Sequence, residues 1–415
     1  MTQSRVFTAV RWPFLLRLLL PLFAATTIFL PAQTACVKNF EAEVGADLNY
    51  DDNLFYSYEG SEYSTWFFSV VPKLAYNRES SRLNFKFDYK GQGDVYFAGD
   101  SQLGPDLDLQ TGNCWSNYFN LQLGYQMTNR LLLRVSDQID NTNRPDFMTL
   151  DEMVFGKFFQ NNLAAELDYR VTERLELTIG YGNRFLDYTE SDDSIDHDFI
   201  DSRSHQLHAA ATYYLSAMTN VSGHYRFNDT WFPEDPLLDY QDTLIGAAIR
   251  HQVNDQMFLR GEIGLQDRQM EYDFRDSDST WYFQTELGIQ RDRSTIHLGF
   301  SRDLSQAPNY SRDFYVDYAL VGGWEWEISY RDMFRIDAGV RWNEFQMLPA
   351  DFAHPTGELR TDVGYMVGAG YERRLQEHFL VHAKYQYMTR GSNNEYYEFN
   401  KNTFTVGCRY VFFKR

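Results

Sequence analysis

Cysteine is scarce in this sequence, and the three present, Cys36, Cys114 and Cys408, are widely separated and odd in number. They form neither a disulfide framework nor a metal-ligand spacing, so the fold does not depend on cystines. Long apolar runs are missing as well. After Leu30 no stretch approaches the ~20 consecutive apolar residues that a spanning helix needs, which excludes a helical membrane bundle. Positive charge is in deficit, with 38 Lys and Arg against 58 Asp and Glu and a formal net charge of −20. That balance argues against nucleic acid as a partner. No glycine- or proline-rich linker divides the 415 residues, so a single domain is expected. Neither a G-x-S-x-G nucleophile elbow nor an H-E-x-x-H metal motif occurs.

The first 35 residues stand apart. Arg5, Arg11 and Arg17 precede or interrupt the apolar run FLLRLLLPLFAATTIFLPA, and no acidic residue appears before Glu41. A charged start, an apolar middle and small residues near a cut are the pattern of a secretory signal. Residues 1–35 are read as that signal, with cleavage near Ala35, and 36–415 as the mature barrel domain. An N-terminal anchor helix is the alternative, but Arg17, Pro21 and Pro31 break its run. Cys36 after the cut raises a lipoprotein, although Gln33 stands where a lipobox usually has Leu.

What the rest of the chain has in abundance is alternation. In FEAEVGADLNY, residues 40 to 50, every second residue is apolar and those between are polar or glycine. Side chains on a strand alternate faces, so the stretch has one oily side and one wet side. The pattern recurs in Phe119/Leu121/Leu123/Tyr125 and in Leu131/Leu133/Val135/Asp137/Ile139, the Asp excepted. It returns in Leu175/Leu177/Ile179/Tyr181, Val363/Tyr365/Val367/Ala369/Tyr371 and Phe404/Val406/Cys408/Tyr410/Phe412. Helical periodicity never wins over a comparable window.

The connections carry a second regularity. Eight short polar segments lie at 77–81, 128–130, 172–174, 216–220, 253–256, 291–294, 330–332 and 372–377. Nine longer ones lie at 51–63, 91–115, 141–155, 186–204, 228–240, 268–279, 302–312, 343–360 and 389–402. Short and long alternate strictly, which joins 18 strands (16 if the weak strands near 240–250 and 313–328 are miscounted) and leaves both termini on the short-turn side. An even strand number with tight turns on one side and long loops on the other describes an outer-membrane barrel. The expected fold is all-β, a transmembrane antiparallel up-and-down β-barrel with both termini periplasmic. Closure satisfies every backbone hydrogen bond, as hydrocarbon demands. A sandwich or propeller is the alternative.

Aromatic residues fit that picture. Tyr76, Tyr125, Tyr169, Phe334, Tyr371, Phe379 and Phe412 flank short turns on the apolar face, and Tyr50, Trp66, Tyr181, Trp281, Trp342 and Tyr387 lie near the opposite ends. Two such belts match the interfacial girdles of a barrel. The run LNYDDNLF at 48–55, opening the first hairpin of an exported, tyrosine-rich barrel, resembles the β-barrel porins associated with bacterial exopolysaccharide systems. The resemblance implies an outer-membrane channel, with polysaccharide as a solute and polysaccharide export components as partners, and it identifies no functional residues. One departure is the tail, where Lys414 and Arg415 follow Phe413, whereas outer-membrane proteins typically finish on an aromatic residue.

In a barrel the wet face lines the lumen. Its basic candidates are Arg134, Arg170, Arg184, Arg226, Arg250, Arg260, Arg335, Arg341 and Arg409, with Lys86, Lys90 and Lys384. Its acidic candidates are Glu166, Asp168, Glu262, Glu286, Glu325 and Glu327, with Glu41, Glu43, Asp47, Asp88, Glu176, Asp337 and Asp362. The sets are close in number. They read either as a solvated stabilising network or as a charge-separated constriction that orients a hydrophilic solute. A barrel of this size is wide enough for an aqueous channel.

Excess negative charge sits in the long segments, above all YTESDDSIDHDFID at 188–201. Asp192, Asp193, Asp196 and Asp198 could offer oxygens to Ca²⁺, although a self-repelling solvated face needs no ion. Asp196-His197-Asp198 places an imidazole between carboxylates, the elements of a general base, but neighbours on an extended loop point opposite ways. His208, His224, His297 and His382 fall on the wet face of different strands, each with a structural role as the simplest reading. The expected function is porin-like passage or export of a hydrophilic solute, without cofactor or enzymatic chemistry. A plugged barrel acting through acidic external loops and a barrel-embedded hydrolase are the alternatives. Expected partners are outer-membrane lipid, lipopolysaccharide and the barrel assembly machinery.

Overall fold

The computed structural model describes residues 39–53, 64–97, 114–142, 157–189, 201–233, 236–270, 278–306, 314–345 and 359–413. The leader expected over 1–35, and Asp192, Asp193, Asp196, His197 and Asp198, lie outside the described residues.

Eighteen strands account for nearly all of what is described. They are β1 (Phe40–Asp51), β2 (Thr65–Glu79), β3 (Leu83–Phe97), β4 (Cys114–Thr128), β5 (Leu131–Thr142) and β6 (Lys157–Arg170). Next come β7 (Leu175–Thr189), β8 (Ser202–Tyr214), β9 (Thr219–Trp231), β10 (Tyr240–Asn254), β11 (Met257–Met270) and β12 (Asp278–Arg291). The last are β13 (Ser294–Gln306), β14 (Phe314–Glu327), β15 (Asp332–Phe345), β16 (Thr361–Gln376), β17 (Phe379–Ser392) and β18 (Phe399–Phe413). Each strand pairs antiparallel with the next, and β18 returns to pair with β1, so one 18-stranded sheet closes on itself. The strand count, the up-and-down topology and the common side of both termini are as the alternation of short and long connections predicts. The two weakly patterned segments are strands β10 and β14.

Short polar side chains build the tight turns. The Thr172 hydroxyl accepts the N–H of Leu175 at 3.0 Å, Ser80 accepts that of Leu83 at 3.1 Å, and Ser329 accepts that of Asp332 at 3.1 Å. These contacts replace ladder bonds at the reversal and explain why hydroxyl residues stand there. Bulges beside three of the turns, at Gln126/Thr128, Gln252/Asn254 and Arg374/Gln376, absorb the extra residue.

The strands run further toward the long-connection side than the hydrophobic pattern predicts. Residues 91–97 belong to β3, 228–231 to β9, 302–306 to β13 and 389–392 to β17. Alternation marks the part of a strand that meets lipid, whereas the hydrogen-bonded ladder continues beyond it.

The apolar face points outward. Ile179, Ile245, Ile263 and Leu265 are among the most exposed apolar side chains, and Trp66, Tyr181 and Trp281 are exposed at one end of the band, as Tyr125, Tyr169 and Tyr371 are at the other. A soluble protein does not present a continuous apolar exterior of this kind. An aromatic-bordered band on a closed barrel is the surface of a protein in the bacterial outer membrane. Asp137 breaks the band, but its carboxylate accepts the Asn161 amide at 2.7 Å on the neighbouring strand.

Candidate functional site

The interior wall divides into two zones. Toward the external side its side chains are buried and bonded to one another. Asn49 donates to Ser69 at 3.0 Å, and Ser69 donates to Asp94 at 2.5 Å, beside the buried thiol of Cys114. Arg268 binds Asp242 in a two-pronged fork at 2.7 and 2.8 Å and lies 4.2 Å over the Tyr240 ring. Lys401 meets Asp51 at 2.7 Å, and Arg360 pairs with Asp362 while covering the rings of Phe345 and Tyr397. Buried charges are tolerated only when paired in this way. The result is a rigid collar of ion pairs and aromatic rings.

Toward the middle and the periplasmic side the wall is wet. Arg134 keeps 51% of its side chain exposed, Arg335 50% and Arg260 49%, so open solvent stands in front of them. Each is tethered to carboxylates on the same wall. Arg134 reaches Asp168 at 2.7 Å and Glu166 at 3.1 Å, and Thr178 donates to the same Asp168 oxygen at 2.7 Å. Arg335 grips Asp337 with two nitrogens, at 2.7 and 3.0 Å, and reaches Glu325 at 3.1 Å. Arg260 meets Glu262 at 3.2 Å, with Glu286 opposite it in register. The pairs lie along the wall, between neighbouring strands or along one strand. A cavity of about 510 Å³ opens into the wall between β1 and β5, lined by Glu41, Glu43, Asp88 and Asp140 with Lys73 and Lys90.

Of the other candidates, Arg170 stands 3.8 Å from Glu176, Arg341 3.3 Å from Asp317 and Arg409 3.4 Å from Glu372. Arg250 lies 5.7 Å from the centre of the Phe258 ring. Arg226 faces His208 in register, Arg184 faces Asn162 and Ser204, and Glu327 faces Met333 beside a turn. Among the described residues no group of three or more His, Cys, Asp or Glu is placed to hold a metal ion.

No family model and no curated protein matches the chain. Solved structures do align over most of its length. Acinetobacter baumannii OccAB4 is 12% identical with a TM-score of 0.49, covering 92% of this chain and 100% of that one. Pseudomonas aeruginosa OpdK, solved with vanillate, is 12% identical with a TM-score of 0.48, covering 91% and 100%. A BenF-like porin from Pseudomonas fluorescens Pf-5 is 9% identical with a TM-score of 0.49, covering 91% and 100%.

Two features escaped the reading of the sequence. Lys73, 2.5 Å from Glu43, was hidden because Val70, Val71 and Pro72 stand just before it and blur the alternation of β2. More telling is a set of rows that only strand register defines. The histidines of the wet face are not scattered singly: His224 bonds the Tyr282 hydroxyl at 2.5 Å and stands 3.2 Å from Glu262, and Tyr282 in turn donates to Glu262 at 3.0 Å. Tyr282 lies flat over Gly246 and Gly264, where a Cβ on either glycine would overlap it.

Proposed function

We propose that the protein is a passive channel for small, charged, hydrophilic solutes across the outer membrane. The observation that carries this reading is the wet interior wall, on which Arg134, Arg260 and Arg335 remain half-exposed while held in fixed pairs. Fixed arginines and carboxylates facing water supply the field that selects and orients a charged solute during diffusion. No step in this reading requires a reaction or a cofactor. The collar supports a small solute over a polysaccharide, because its ion pairs and rings occupy the external end of the interior wall. For a solute-binding position the reading favours the cavity beside Lys73 and Lys90.

The test is single-channel recording of the refolded mature protein in a planar bilayer. Stable conductance steps are expected, with selectivity between potassium and chloride that changes in the Arg335→Gln variant. A folded barrel that stays silent would overturn the proposal and leave a surface role carried by the external connections.

A further inference from the structure

Three of the four interior histidines share one geometry, and the fourth is a variant of it. His208 on β8 faces Gly180 on β7, which faces Glu166 on β6. His297 on β13 faces Gly323 on β14, which faces Asp337 on β15. His382 on β17 faces Gly407 on β18, which faces Asp47 on β1. His224 on β9 faces Gly246 on β10, beyond which stand Glu262 and, in the same row, Gly264 and Tyr282. In the first three a histidine and a carboxylate lie two strands apart with a glycine facing both, whereas in the fourth Gly246 faces Gly264 and Glu262, two residues along β11, faces Ala248.

The glycine is what lets the two side chains approach. A Cβ on Gly323 would stand 2.6 Å from His297 Nε2 and 2.9 Å from Asp337 Oδ1. On Gly180 it would lie 3.1 Å from Glu166 Cγ and 3.7 Å from His208 Nδ1, and on Gly407 it would overlap Asp47. Over these gaps His382 Nε2 comes to 3.1 Å from Asp47, and His224 Nε2 to 3.2 Å from Glu262. The repetition on three separate pairs of strands sets this arrangement apart from the rest of the wall.

We propose that these four imidazoles are the specificity-determining residues that make the ion selectivity of the lumen respond to protons. The inference rests on the channel reading above. The fixed charges of the wall are close to balanced and largely paired, so a few added positive charges tip the field toward anions. Imidazole is the only common side chain that changes charge near neutrality. Its neighbours here are named by the geometry. Arg134, Glu166, Arg226 and Glu262 act on His208; Arg226, Arg260, Glu262, His208 and Tyr282 act on His224. Asp337, Arg335, Glu325 and Glu286 surround His297. Asp47, Glu372, Arg409 and Lys384 surround His382. His208 and His297 face the lumen most openly, and His224 and His382 are buried against their carboxylates.

Protons taken up by these imidazoles add positive charge to the wall, which then favours anions. The reversal potential of the full-length mature barrel in a potassium chloride gradient is the measurement. Between about pH 7.5 and about pH 5 the chloride-to-potassium permeability ratio is expected to rise by about threefold or more, because several unit charges face a pore only nanometres wide. The rise should shrink in the His208→Gln/His297→Gln variant and vanish when all four are glutamine. If the fourfold variant fails to fold, the double variant and the four single variants carry the comparison. A conducting barrel with the same ratio at both pH values, or a rise that survives the substitutions, overturns the inference and leaves the channel reading standing. A silent barrel overturns the channel reading itself, and this inference with it.

Discussion

A charged side chain in this barrel is worth as much as its surroundings allow. Asp242 and Arg268 are buried together, with 14% and 4% of their side chains exposed. Removing one member strands the other in a poorly solvated site, which costs about 3–5 kcal/mol. Asp242→Asn should therefore lower the urea midpoint for unfolding from lipid vesicles by a clearly measurable step. Arg335, half-exposed with three carboxylate contacts, behaves otherwise. Water screens its pairs, so Arg335→Gln should change stability by about 1 kcal/mol or less. The same variant should alter which ion the channel prefers. Comparing the two substitutions in both assays separates stabilising charges from selecting ones, and a large loss of stability in Arg335→Gln would erase the distinction.

At the level of strands, the ladder between β12 and β13 ends at Phe283 and Arg302, although β12 extends to Asp278 and β13 to Gln306. Gln266, on β11, fills part of the gap. Its side-chain amide donates to the Leu304 carbonyl at 3.3 Å and accepts the Leu304 N–H at 3.2 Å, which is how a neighbouring strand would bond. Gln266→Ala should leave both groups of Leu304 without that partner and cost about 1–2 kcal/mol. Faster amide hydrogen exchange at Leu304, with exchange in β5 and β6 unchanged, is the expected signature. Gly407 makes a second case, since a Cβ there would stand 2.8 Å from the Ala46 carbonyl on β1. Gly407→Ala should therefore shift the β1–β18 ladder and lower thermal stability, whereas Gly323→Ala meets mainly the movable ring of His297 and should fold normally. These contacts also mark how far the sequence was legible. Period-two patterning and the strict alternation of connections located all 18 strands, because lipid imposes that pattern wherever a strand crosses it. The wet face followed from the same parity, and Arg134, Glu166 and Asp168 were placed on it together. Register was not legible, since polar residues on a lumen wall leave pairing weakly specified by pattern. Without register Gly180, Gly323 and Gly407 are only small residues, and the histidines beside them look isolated.

The molecule as a whole has a single seam that its own order of residues creates. β1 pairs with β18 from Ala42–Phe413 to Asp51–Thr403, and Asn402 reaches back 350 residues to donate to Asp52 at 2.6 Å. A chain ending before β18 would leave β1 and β17 as open edges in hydrocarbon, which is not tolerated. The intact chain is expected to give a compact, heat-modifiable band on electrophoresis of unboiled samples; deleting residues 399–413 should abolish it, and a truncated chain that still gives it would contradict closure by β18. The seam also sets a timetable. The first strand made must wait for the last before its hydrogen bonds are complete, so no early portion of the chain can settle while the remainder is still being synthesised. Contacts this distant in sequence close slowly, and an apolar stripe left bare for that long invites clumping. The polypeptide has to reach its membrane still unfolded, and its final act of folding is also the one that closes the wall.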